Sequence, residues 1–192
     1  MSEKDILEMA SSAAVGASAL VVALLGLRGL NTWKKHTKFE VARKLLQLGK
    51  QFANEIQRSR NPLGSSEEAA GRSRGDTETN EQAEALDQRY AHMKRLELPA
   101  MTLRDLQQAS WEAEASLKTD LSAHIQRFID IHNEITLAVE KRYLISEGLE
   151  LTLEESKDII TTLYGPAPTD DHISQQLEEA QSELGKALKR YI

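Results

Sequence analysis

The sequence predicts an all-α protein: an N-terminal single transmembrane helix followed by a cytoplasmic bundle of about four helices with one long central helix. Three observations predict it. Of 192 residues only 5% are aromatic and four are proline, whereas the strong helix formers Leu, Ala, Glu, Gln, Lys and Arg dominate. Nineteen residues between Glu8 and Arg28 carry no charge. Beyond them apolar residues recur at steps of three and four.

The charge-free run reads as a membrane span over 9–30, preceded by a short non-cytoplasmic N-terminus, 1–8. As a helix its nineteen residues reach about 28 Å, close to the hydrocarbon thickness of roughly 30 Å. A secretion signal would begin with basic residues, but "MSEKDILE" is mostly acidic, and the apolar run continues past Ala17-Ser18-Ala19, the one small-residue cleavage pattern. A soluble core helix would show a polar face, and only Ser11, Ser12 and Ser18 interrupt this one. Ser12, Gly16, Ala19, Ala23 and Gly26 recur at steps of four and three, a small-residue seam of the kind that lets two helices approach closely in lipid.

Orientation follows from the flanks. Arg28, Lys34, Lys35, Lys38, Arg43, Lys44 and Lys50 follow the span, opposed only by Glu40, while only Lys4 precedes it. The positive-inside rule then puts the C-terminal side in the cytoplasm. Trp33 falls where an indole rests among headgroups, and Arg28, Lys34, Lys35 and Lys38 attract anionic lipid.

The body divides by pattern. Residues 31–60 form a juxtamembrane amphipathic helix whose stripe includes Phe39, Ala42, Leu45, Leu46, Gly49, Phe52, Ala53 and Ile56, with a bend possible near Gly29 and a stop at Asn61-Pro62. Residues 61–80 contain one large apolar side chain, Leu63, and read as a flexible linker. The bundle occupies 81–192 and packs with 38–58. Its expected helices run from Glu81 to Leu96, before Pro99, and from Thr102 or Asp105 to about Ser146. The second carries a seam of Leu117, Leu121, His124, Phe128, Ile131, Ile135, Ala138, Arg142 and Ile145. Gly148 ends it, Thr152 and Glu155 form a capping box, and Thr169, Asp170 or Asp171 caps a last helix bearing Ile173, Leu177, Ala180, Leu184 and Leu188.

Candidates for chemistry are few. There is no cysteine, so no thiol nucleophile or disulfide arises. His124 and His132 are eight residues apart, roughly 12 Å along one helix, too far to share a metal ion. His124 reads as a core histidine, and His132 has Asp130, Glu134 and Glu140 nearby in sequence, without a nucleophile or binding pattern. Arg142 calls for a carboxylate such as Glu114, Glu178 or Glu179, or for a place at the bundle edge. No catalytic, cofactor-binding or metal residue is assigned, and no cofactor is expected. Residues 51–192 hold sixteen Lys or Arg against twenty-six Asp or Glu, so the body repels nucleic acid.

Trp33-Lys34-Lys35, Ala42-Arg43-Lys44-Leu45-Leu46, Ile56, Arg60-Asn61-Pro62, Arg89, Trp111, the stretch from Ile131 to Tyr143, Leu163-Tyr164-Gly165 and Asp170-Asp171 together carry a resemblance. On them the chain resembles an uncharacterised family of small bacterial inner-membrane-anchored helical proteins. The segment between Trp33 and Ala42 is shorter than the family's, and Ala53 stands where an arginine is expected. The resemblance implies the architecture and the inner membrane, and it implies no activity.

The expected function is accordingly a non-enzymatic, single-pass interaction or scaffold module at the cytoplasmic face of a bacterial inner membrane. Its partners would be membrane lipid and a protein or a second copy, with no nucleic acid. The alternatives are a sensor or regulatory subunit working through transmembrane helix packing, and a ligand binder or enzyme using a pocket in the bundle.

Overall fold

The computed structural model describes the backbone of residues 3–60, 66–146, 150–165 and 171–192; in the first helix side chains are described at residues 16 and 18 and from residue 20 onward. Among these residues all regular structure is helical: α1 (Glu3–Ser59), α2 (Asn80–Leu117), α3 (Ser122–Ser146), α4 (Leu153–Tyr164) and α5 (His172–Leu188), with 3-10 turns at Ser66–Gly71 and Lys189–Tyr191.

The C-terminal half of α1 joins α2, α3 and α5 in an up-down-up-down four-helix bundle. Cross-helix contacts set the directions. Lys44 bonds Glu112 and Gln51 bonds Thr102, so α2 runs against α1. Arg89 bonds Glu140 across α2 and α3, while Arg127 and Glu183, with Glu134 and His172, pair α3 with α5. Leu45, Phe52, Ile56, Leu106, Leu121, Phe128, Ile135, Leu177 and Leu184 fill the centre. Phe52 and Phe128 meet there edge to face across the bundle diagonal, 5.7 Å between centroids. Gly49 faces this centre, where a Cβ would stand in contact with Leu184 and Phe128 at 3.4 Å.

Several boundaries differ from the sequence-based expectation. α1 is one helix of 57 residues that runs on through Gly29, as a helix continuing from the charge-free run would. The helix expected to stop before Pro99 does not stop: α2 runs from Asn80 to Leu117 with Pro99 inside it and buried. An interior proline costs about 3 kcal/mol, and burial of Leu96, Leu103, Leu106 and Ala109 on either side offsets it. The real break comes at residues 118–121. Lys118 turns into the left-handed region (φ 55), and Asp120 accepts bonds from the Ser122 backbone and hydroxyl to start α3. The expected single helix from Thr102 to Ser146 is therefore two antiparallel helices. Asn61-Pro62, Gly148, Thr169 and Asp170 lie outside the described residues. The Thr152–Glu155 capping box is present in both directions. Asp171 occupies the N-cap position of α5 without capping it.

The flexible linker expected over 61–80 is ordered over 66–79. Arg72 bonds both oxygens of Glu78 (2.9 and 2.7 Å) and one of Asp87 (2.6 Å), and Arg95 bonds Glu68. A second capping box, Thr79 with Gln82, then opens α2. Polar side chains order this lobe where apolar ones are scarce, and the bond from Arg72 holds the Glu78 carboxyl down at about 2. In Arg72→Ala, amide exchange across 69–83 is expected to accelerate strongly while the core of α3 keeps its protection. Uniform loss of protection in both regions would show instead that the lobe is integral to the bundle.

Candidate functional site

Two regions stand apart from the packed core. The first is the arm of α1 that projects from the bundle. Leu20, Val21, Val22, Leu24, Leu25, Leu27, Leu30 and Trp33 are all exposed, Val22 by 69% and Trp33 by 64%. Of the small-residue seam, Ala23 is exposed and Gly16 and Gly26 have no neighbour within 4 Å; the side chains of Ser12 and Ala19 lie outside the described residues. Arg28, Lys34 and Lys35 are exposed as well. Lys38 is half-buried at the bundle's near end, its ammonium 6.0 Å from the Tyr191 ring, so it belongs to the body as much as to the basic collar. Among the described residues no helix is long and apolar enough to cross a membrane; residues 9–15, the first part of the charge-free run, have no described side chains.

The second region is a cleft of about 360 Å³ between α2, α3 and α4. It exists because α4 packs on α3 but not closely on α2. Ala85, Gln88, Arg89 and His92 share one face of α2; Val139, Arg142, Tyr143 and Ile145 come from α3, and Ser156, Ile159 and Ile160 from α4. The Arg89 guanidinium is committed, bonded to both oxygens of Glu140 (2.9 and 2.7 Å) and lying over the Tyr143 ring. Arg142 stacks over Tyr164, 5.2 Å from its centroid, and pairs with none of Glu114, Glu178 and Glu179. His92 meets the same ring edge-on. Its Nδ1–H donates to the Gln88 carbonyl (2.8 Å), which leaves Nε2 buried without a partner.

Behind the cleft lies a buried clasp. Arg60, at the end of α1, donates to the carbonyls of Thr162 (2.8 Å) and Thr161 (2.9 Å) and to both oxygens of Asp171 (2.7 Å each). It thereby ties α1 to the end of α4 and the start of α5. Gly165 follows with φ +67, where a side chain would crowd Asp171 and Arg60.

The histidines fall otherwise than expected. His124 is half-buried, 4.0 Å from Glu183, and not in the core. His132 sits against α2 near the Leu96 carbonyl with Nε2 buried and unpartnered. Its supposed carboxylates serve elsewhere: Asp130 bonds Gln126, Glu134 bonds His172 and Glu140 bonds Arg89. Glu134 and Thr162 both reach the same nitrogen of His172, at 2.8 and 3.5 Å. A hydroxyl–imidazole–carboxylate relay needs them on opposite nitrogens, so this trio is a junction between helices. Among the described residues no three His, Asp or Glu side chains cluster as metal ligands.

Burial holds the His92 and His132 imidazoles below their ordinary value. The unfolded chain takes up protons near 6.5 that the folded chain refuses. Their stability contribution is thus full above about pH 6.5 and declines as pH falls below it. Histidine ring NMR is expected to place both midpoints below 6.5; midpoints at or above it would contradict the burial.

No family model, curated protein or solved structure matches the chain. Arg60, Tyr164 and Asp171 are among the residues that carry the resemblance, but nothing in the sequence joins them, because Arg60 and Asp171 stand 111 positions apart and Arg142 meets Tyr164 only through the fold.

Proposed function

We propose that the chain is a single-pass anchor that holds a helical interaction module at the cytoplasmic face of a bacterial inner membrane, as in the family it resembles. The observation that carries this reading is the arm of α1. Eight large apolar side chains from Leu20 to Trp33 face outward with no protein over them. At about 1.5–3 kcal/mol each, on the order of 10–20 kcal/mol is unrealised while they face water. They continue a run of nineteen uncharged residues that begins at Met9, and lipid is the solvent that suits all sides of such a helix at once. The collar over 28–50, seven basic residues and one acidic, favours the cytoplasmic side for the body.

Anchoring confines the bundle to two dimensions and raises its effective concentration towards membrane neighbours. The continuity of α1 supports a second reading, a regulatory subunit, because one unbroken helix joins the arm to Phe52 and Ile56 in the core. A rotation of the arm would be felt there directly.

The anchor is tested by charge. Each arginine placed mid-span costs roughly 2.5–3.5 kcal/mol of insertion. The pair Val21→Arg and Leu24→Arg is expected to move the protein from the carbonate-resistant membrane fraction to the supernatant while circular dichroism of the bundle is unchanged. Equal membrane retention of wild type and double variant would count against lipid as the arm's solvent.

A further inference from the structure

We propose that the cleft between α2, α3 and α4 binds a small water-borne organic carboxylate with an apolar body. Its volume of about 360 Å³ falls at the small end of the roughly 300–1,000 Å³ usual for such sites. The lining is divided in the way an amphiphile requires. Val139, Ile145, Ile159 and Ile160 supply apolar lining, and Arg142 and His92, which both meet the Tyr164 ring, supply polar atoms beside it.

Two of those groups lack partners a ligand would supply. The body over 51–192 carries twenty-six carboxylates, yet among the described residues none pairs with Arg142. Stacking on Tyr164 occupies the face of its guanidinium and leaves the N–H fork at the edge, which is the part that takes a carboxylate in two parallel bonds. Arg89 lies beside it but is spent on Glu140, so it shapes the mouth. The buried Nε2 of His92 is the second unmet group. An arriving carboxylate favours a proton on that nitrogen, taken from solvent, and the resulting N–H donates to the second oxygen.

The position of the cleft selects the source. Trp33 and Ser59, the residue before Arg60, are twenty-six residues apart on one helix, about 39 Å at 1.5 Å per residue. Arg60 holds Thr161 and Thr162, which follow the cleft residues Ile159 and Ile160 on α4. The site is thus at the end of the bundle remote from the arm, out of reach of a lipid resting in the same bilayer. This last step rests on the anchored reading; the binding chemistry does not.

The test uses the full chain in zwitterionic nanodiscs, with ¹⁵N-labelled histidine and octanoate as the probe. Octanoate is expected to shift the His92 Nε2 resonance saturably. Methyl octanoate, of the same body without the charge, is expected to leave it in place, as is inorganic phosphate. Arg142→Met is expected to weaken octanoate by about tenfold or more, and Ile160→Trp, at a half-exposed position that folding tolerates, to block it. The proposal is overturned if His92 does not respond to octanoate, if the ester or phosphate shifts it equally, or if Arg142→Met binds as the wild type does. A response to oleate in the disc without one to octanoate would overturn the aqueous source. Failure of octanoate would leave carbonate extraction unchanged, so the two readings fail separately.

Discussion

Replacing Phe128 by alanine is expected to destabilise the bundle by roughly 3–5 kcal/mol, the range for deleting a buried aromatic ring. Phe128 is fully buried, and its ring abuts Phe52 of the diagonal helix and the bare backbone of Gly49. It belongs to the one buried cluster to which α1, α2, α3 and α5 all contribute, so closing the cavity would require several helices to move together. Urea unfolding measures the loss. The slope should be unchanged, since the same surface is exposed on unfolding. A loss below about 1 kcal/mol would mean that this centre is loosely packed. Trp111→Ala is the control, because that indole is 69% exposed and contributes little to the core.

The second large effect is expected at the clasp. Arg60→Met should cost roughly 3–5 kcal/mol, because it strands the Asp171 carboxylate and the Thr162 carbonyl, while the Thr161 carbonyl keeps the Gly165 N–H. The double variant Arg60→Met, Asp171→Leu removes the orphaned charge with its partner and is expected to recover a sizeable part of that loss. If it is as unstable as the single variant, the charges are not what makes the site costly. Acid should have a related effect. Burial alone would raise the Asp171 carboxyl, but the bonds from Arg60 and Ser174 outweigh it and hold it at about 2. A depressed carboxyl stabilises the fold above its unfolded value near 3.9. That contribution, on the order of 2 kcal/mol, is lost as pH falls from about 4 to about 2. Asp171→Asn should flatten this part of the stability–pH curve.

The all-α class and the inward stripes were legible in the sequence because helical periodicity is a local property. Phe52, Ile56, Phe128, Ile131, Ile135, Leu177 and Leu184 all lie where their spacing puts them. Helix ends were less legible. Pro99 signals a stop by its own chemistry, and only the packing of its neighbours on α1 overrides that signal. The true turn at Lys118 uses a lysine in a conformation that glycine normally adopts, so nothing marks it. The lobe at 66–79 looked unstructured because its order comes from Arg72, Glu78 and Asp87, which in isolation are solubilising residues. The clasp and the cleft join residues remote in sequence, and polar pairing over such separations leaves no pattern to read.

Since the chain has no cysteine, one introduced thiol reports its own surroundings, and labelling by a membrane-impermeant maleimide in inside-out inner-membrane vesicles tests the anchored arm directly. Cysteine at Gln47 or Glu97 should label at once, and cysteine at Leu24 or Leu27 only after detergent is added. Equal labelling of all four positions without detergent would contradict the account.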